Sequence, residues 1–312
     1  MKDIATDPRN PAKPCEYFDM IGGTSTGGLI AIMLGRLHMS VDECLAAYRK
    51  LSDEVFQAKH YAAAPWWTFP WNWELKGRFD TEALERAIKS LVVEQLRKRP
   101  ENRDNSAFFR FVTATSKAYP DQTTNLTSYP SERWPSERLH SVKIWEAARA
   151  TSAASTFFDP IAVGTDREVF LDGATGANNP VRQVASEARD VWSLKNIGDD
   201  LQCFISIGTG VPSVKAFGST LKTVVETLKD MSTETERTAE SFLQEHTDLD
   251  SDRRLFRFNV EQGLEDIGLE ESQKQYLIAA ATYRYLARER PLKEVKACVE
   301  TMKLRQCIED FS

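Results

Sequence analysis

Apolar positions along this chain fall into short runs separated by longer amphipathic stretches. Tyr17-Phe18-Asp19-Met20-Ile21 is strand-like, and Leu29-Ile30-Ala31-Ile32-Met33-Leu34 forms the body of a helix expected over 25–37. Ser40 followed by Glu43 has capping-box spacing and opens a helix over about 41–52. Asp80 caps a helix over 81–98 that sets Leu84, Ile88, Leu91 and Val92 on one face. Strands are expected at 108–115, 168–174, 203–207 and 254–260, where apolar residues run without helical spacing. Helices are expected at 143–153, 180–193, within 219–247 and at 270–290, followed by a charged helical tail. The polar stretch 119–138 reads as a surface loop.

Strands alternating with helices imply a layered α/β fold with a largely parallel sheet. There is no internal repeat and no clear linker, so one domain over 15–290 is expected, with an irregular lead-in, 1–14, and a helical tail, 291–312. The 312 residues suffice for one sizeable core. A net charge of −6 argues against a general nucleic-acid binder. No apolar run reaches the roughly 20 residues a membrane helix needs. The N-terminus lacks the basic start and apolar stretch of a secretory signal, so a cytoplasmic protein is expected. The five cysteines are scattered and form no C-x-x-C pair, which reads as reduced thiols. The four histidines, His38, His60, His140 and His246, are dispersed, and no metal site is expected.

The most informative stretch is Gly22-Gly23-Thr24-Ser25-Thr26-Gly27-Gly28, between the first strand and its helix. Gly23-x-Ser25-x-Gly27 has the spacing of a nucleophile elbow, a turn so tight that small residues must flank the serine. Such a turn exposes the Ser25 hydroxyl at a helix N-terminus, where free N–H groups favour developing negative charge. A plain Gly-rich loop or a phosphate cradle remains an alternative. Against the cradle stands the absence of a Lys-Ser/Thr ending and of a clean G-x-G-x-x-G.

A serine hydroxyl needs a base. No histidine lies at a strand end followed by a tight turn, and His38 lies at the far end of the elbow helix. Asp172 ends an apolar strand and precedes Gly173-Ala174. Two readings are open for it: a carboxylate brought beside Ser25 at the strand ends, or a turn carboxylate closing an Asp-Gly bend.

Five ordered blocks then resemble the patatin-type acyl hydrolases: 18–28 around the elbow, Lys76-Gly77-Arg78-Phe79-Asp80, the stretch 148–158, Asp172-Gly173-Ala174, and Ile205-Ser206-Ile207-Gly208-Thr209-Gly210. They span most of 15–290, and the likeness is closest to fungal patatin-like domains. The resemblance implies a three-layer α/β fold with a mostly parallel sheet flanked by helices. It implies a Ser–Asp dyad, Ser25 as nucleophile and Asp172 as base, acting on a glycerolipid or phospholipid ester through an acyl-enzyme. It implies no cofactor, no calcium and no metal.

One departure stands out. Patatin-like domains begin with a strand and a Gly-rich D-G-G-G-x-R-G turn that supplies much of the oxyanion hole, and no glycine precedes Gly22 here. The first strand is therefore expected to be missing and the Ser25 strand to present an edge. The Thr26 N–H remains as one oxyanion donor. A weakened hydrolase with its dyad intact is expected, from a shortened gene product, a trimmed chain or a degenerate relative. The alternative is a catalytically dead module with an interaction or regulatory role, its protein partner met through the C-terminal helices. A thioesterase or general esterase is a third reading.

Trp66, Trp67, Phe69 and Trp71 suit an acyl pocket or a peripheral membrane contact, or a loop folded onto the core. Lys76 and Arg78 suit a lipid phosphate, or plain solvation.

Overall fold

The computed structural model describes residues 12–56, 79–99, 109–131, 142–154, 157–210, 222–264, 267 and 274–309. The chain divides into two compact units, one of residues 21–177 and one of residues 1–20 with 178–312.

The first unit holds a five-stranded sheet of β1 (Met20–Thr24), β2 (Phe109–Ser116), β3 (Thr123–Thr127), β4 (Ile161–Val163) and β5 (Glu168–Asp172). The strand order is β1-β2-β5-β4, with β3 also paired to β2. Among the described strands β1 pairs with β2 alone. The pairs β2–β3, β2–β5 and β4–β5 are antiparallel, which corrects the largely parallel sheet expected from the sequence. The reason is local: β2 turns back into β3 and β4 into β5 through connections too short for a helical crossover. β3, TTNLT, lies within the stretch read as loop; it is a strand because its threonines are β-branched and its centre is buried.

Helices α1 (Thr26–Ala31), α2 (Val41–Val55), α3 (Thr81–Lys98) and α4 (Ile144–Thr151) flank this sheet. α1 does not continue as α-helix to residue 37; a π-helical turn occupies Ile32–Arg36. Ser40 and Glu43 form the expected box, Ser40 N–H donating to Glu43 Oε2 at 2.7 Å and Glu43 N–H to Ser40 Oγ at 3.2 Å. Asp80 Oδ1 accepts from the Glu82 and Ala83 N–H groups at 3.0 and 3.2 Å, satisfying two of the open donors of α3. Leu84 and Ile88 are buried with Met33, Leu51, Val112 and Phe158 in the main core. Each such side chain contributes about 1.5–3 kcal/mol by leaving water. Phe79 stacks on Phe157 with ring centroids 5.8 Å apart, tying the start of α3 to the segment after α4.

The short α5 (Ala174–Ala177) closes the first unit, and the second unit holds α6 (Val181–Trp192) and α7 (Ile197–Asp200). A parallel pair, β6 (Phe204–Ile207) and β7 (Leu255–Phe258), is joined through α8 (Lys222–Glu245) and α9 (Thr247–Ser251). The chain closes with α10 (Gln275–Leu286) and α11 (Glu289–Glu309). Two of the thiols read as scattered meet here. Cys203 and Cys298 share a hydrogen bond, which with burial holds the Cys203 thiol above its usual range. Among the described residues no helix is long and apolar enough to cross a membrane.

Candidate active site

β1 ends at Thr24, and α1 begins at Thr26. Ser25 sits between them with φ 52° and ψ −123°. A non-glycine residue rarely takes this conformation, which costs about 1–3 kcal/mol and persists only where the surroundings fix it. Gly23 is what permits the approach. A Cβ there would lie 2.1 Å from the Gly27 carbonyl oxygen, so strand and helix start are in main-chain contact. A Cβ at Gly28 would lie 2.6 Å from Thr151 Oγ1. A Cβ at Gly27 would meet no described atom within 4 Å.

The Ser25 hydroxyl donates to Asp172 Oδ2 at 2.8 Å. Asp172 ends β5, and its other oxygen, Oδ1, accepts from the Ala174 N–H at 2.7 Å. Both readings of this carboxylate thus coexist in one side chain: one oxygen closes the Asp-Gly-Ala turn and the other faces the serine. Gly173 is confined to glycine, since a Cβ would lie 2.4 Å from the Thr113 carbonyl oxygen. Asp172 is 3% exposed, and burial raises its pKa to about 6 against the opposing hydrogen bonds from Ala174 and Ser25.

Beneath the pair, Thr24 Oγ1 donates to the Ala177 carbonyl at 2.7 Å and lies 2.6 Å from Thr113 Oγ1. Thr24 has one hydroxyl proton, already committed to Ala177, so Thr113 donates to Thr24. The segment after α4 reaches both site residues. Ser25 N–H donates to Thr151 Oγ1 at 2.9 Å, and Asp172 N–H donates to the Ala153 carbonyl at 3.0 Å. The sequence blocks contained Thr151 and Ala153 but gave them no role; Thr151 is the last residue of α4, and its position in the sequence carries no local signal of the contact. The first bond of α1 is Leu29 N–H to the Ser25 carbonyl at 3.0 Å, leaving the Thr26, Gly27 and Gly28 N–H groups outside the helical ladder. Thr26 Oγ1 lies 3.3 Å from Tyr48 Oη.

His38 Nε2 lies 3.0 Å from Arg110 Nη2, and the His246 ring packs on Phe242 with centroids 4.4 Å apart. His60 and His140 lie outside the described residues, as do Trp66, Trp67, Phe69, Trp71, Lys76 and Arg78. In the other unit, Gly210 N–H donates to Asn259 Oδ1 at 2.8 Å, so Gly208-Thr209-Gly210 is a fastened strand-end turn. Among the described residues no three His, Cys, Asp or Glu side chains gather as metal ligands.

Chemically, a hydroxyl on a strand-to-helix bend can pass its proton to a buried carboxylate in contact with it. Fold and geometry define a mixed α/β protein built around such a pair. The chain belongs to the patatin-like phospholipase family, whose family model matches residues 11–185. It is 30% identical over 273 residues to the calcium-independent phospholipase A2-gamma of Mus musculus, covering 84% of this chain and 33% of that protein. The Homo sapiens protein of that name is 30% identical over 298 residues, covering 90% and 35%. Patatin-like protein 1 of Arabidopsis thaliana is 30% identical over 221 residues, covering 64% and 50%. The chain spans about one third of the length of the two phospholipases A2.

Proposed function

We propose that this chain hydrolyses the acyl ester of a glycerolipid or phospholipid, with Ser25 as nucleophile and Asp172 as base. The observation that carries the reading is the 2.8 Å hydrogen bond from Ser25 Oγ to Asp172 Oδ2. Family membership and relatives named phospholipase A2 support the substrate class.

Ser25 Oγ attacks the ester carbonyl as its proton passes to Asp172 Oδ2. The tetrahedral oxyanion takes a hydrogen bond from the Thr26 N–H at the start of α1. Asp172 returns the proton to the departing alcohol, leaving the acyl group on Ser25. It then takes a proton from water, whose oxygen attacks the acyl carbon, and the fatty acid leaves as Ser25 regains its proton. A carboxyl with a pKa of about 6 is a stronger base than an ordinary aspartate and still ionised at neutral pH. Contact with a lipid surface, from a cytoplasmic location at the membrane periphery, belongs to the same reading.

A second reading, a module of reduced turnover with an interaction or regulatory role, is favoured by the donor count. Ser25 N–H is engaged by Thr151, so the described N–H groups left beside the hydroxyl are those of the first turn of α1. Each oxyanion donor lost costs about 10²–10³ in rate.

The test is labelling with a fluorophosphonate and release of fatty acid from phosphatidylcholine vesicles, each beside Ser25→Ala. An adduct on Ser25 with Ser25-dependent release supports the hydrolase. A folded chain that neither labels nor hydrolyses supports the second reading.

A further inference from the structure

We infer that Thr151 is a positioning residue for Ser25, holding the hydroxyl in its reactive place through the main chain rather than by touching substrate. This rests on the hydrolase reading and adds to it the group that fixes the elbow from outside.

Ser25 takes a conformation that local preferences oppose, with φ 52°. On one side it is held by the contact between Gly23 and Gly27. On the other, the restraint is Thr151. Its Oγ1 accepts the Ser25 N–H at 2.9 Å, and its side chain lies against Gly28, where an added Cβ would come within 2.7 Å of Thr151 Cγ2. Thr151 is 0% exposed, so its hydroxyl is the acceptor that keeps this N–H paired without water. Its position is set by α4, which it ends, not by β1 or α1.

Two residues on, the Ala153 carbonyl accepts the Asp172 N–H at 3.0 Å. Residues 151–153 therefore reach both the serine and its carboxylate, which are carried by different strands. The separation of Oγ and Oδ2 depends on a third piece of chain that bonds to the main chain of each. An error of about 1 Å in such a placement can cost about 10²-fold in rate without weakening substrate binding.

Thr151→Val keeps the branched shape and removes the acceptor; Thr151→Ser keeps the acceptor and removes the methyl against Gly28. Three readouts separate the roles: the rate of fluorophosphonate labelling at Ser25, kcat and KM on a short-chain nitrophenyl ester, and amide hydrogen exchange resolved at Ser25. In Thr151→Val, labelling and kcat are expected to fall about 10–100-fold with KM within about twofold, and exchange at Ser25 to accelerate. In Thr151→Ser, all three are expected to return to within about threefold of the parent. Thr151→Ala replaces Thr151→Val if the latter does not fold. The inference is overturned if exchange at Ser25 is unchanged without the hydroxyl, or if Thr151→Ser is as impaired as Thr151→Val. If the parent chain neither labels nor turns over, the hydrolase reading fails, and the exchange measurement alone still decides whether Thr151 holds the Ser25 main chain.

Discussion

Ser25 and Asp172 are 147 residues apart in the chain, and their side chains meet at 2.8 Å. β2 makes this possible: it lies between β1 and β5 in the sheet, so one residue following β1 and one ending β5 come together across it. Ala114 of β2 is the register partner of Asp172, and its neighbour Thr113 bonds to Thr24.

Asp172→Asn keeps the size of the side chain and removes the base. Acylation of Ser25 is expected to slow by about 10²–10⁴, the usual range for losing a positioned general base. With Asp172 present, kcat/KM should rise about tenfold per pH unit up to about pH 6 and level above it, because only the carboxylate accepts the proton. A pre-steady-state pH profile on a nitrophenyl ester checks both. A flat profile from about pH 5 to about pH 7, roughly one unit either side of that midpoint, would remove Asp172 as the base.

The same carboxyl sets a stability cost. Its native pKa, about 6, lies above the ordinary aspartate value of 3.8, so between those values the native state keeps a proton that the unfolded chain releases. Stability from the neutral form is complete below the unfolded value and is lost as pH rises through the native one. A difference of roughly two units corresponds to an upper figure of about 3 kcal/mol. Relative to the parent, Asp172→Asn should therefore gain about 1–3 kcal/mol on going from about pH 4 to about pH 7. Urea unfolding of the two chains at both pH values measures it; equal pH dependence would contradict the burial argument.

How much was legible follows from which forces are local. Asp80 and the spacing of Leu84, Ile88, Leu91 and Val92 define α3 to the residue, because capping and periodicity act within a few positions. The capping box of α2 and the turn at Gly173 are readable for the same reason. β3 is hidden because Thr and Asn look like loop until burial by neighbours decides otherwise. The π-turn at Ile32–Arg36 is hidden because one extra residue per turn barely alters an apolar run. Within the site, glycine spacing marks Ser25. The bond from Ser25 to Thr151, 126 residues away, leaves no trace in either local pattern.

The hydroxyl pair under the site makes a separate prediction. Thr24 is 7% exposed and Thr113 is 0% exposed, so neither has water as a substitute partner. Thr24→Val would strand both the Ala177 carbonyl and the Thr113 hydroxyl, costing about 1–3 kcal/mol for each group left unpaired. Adding Thr113→Val removes one stranded group, so the double variant should be more stable than the sum of the single losses. A double-mutant cycle by chemical denaturation gives the coupling; strict additivity would show that the two hydroxyls do not interact.

The two glycines flanking Ser25 should respond in opposite ways. At Gly23 an added Cβ lies 2.1 Å from the Gly27 carbonyl oxygen and 2.4 Å from its carbon. These are main-chain atoms, so no rotamer change relieves the clash, and β1 must separate from α1. Gly23→Ala is expected to cost on the order of 3–5 kcal/mol or to prevent folding. At Gly27 the added Cβ meets no described atom within 4 Å, and the residue lies in the first turn of α1. Gly27→Ala should hold or raise Tm, since alanine favours helix by up to about 1 kcal/mol over glycine. The comparison separates folding from chemistry at one bend. If Gly27→Ala keeps Tm but slows a long-chain ester more than a short one, the methyl stands where acyl substrate must pass. If both esters react at parental rates, the second glycine of the elbow serves neither fold nor substrate, and the steric requirement rests on Gly23.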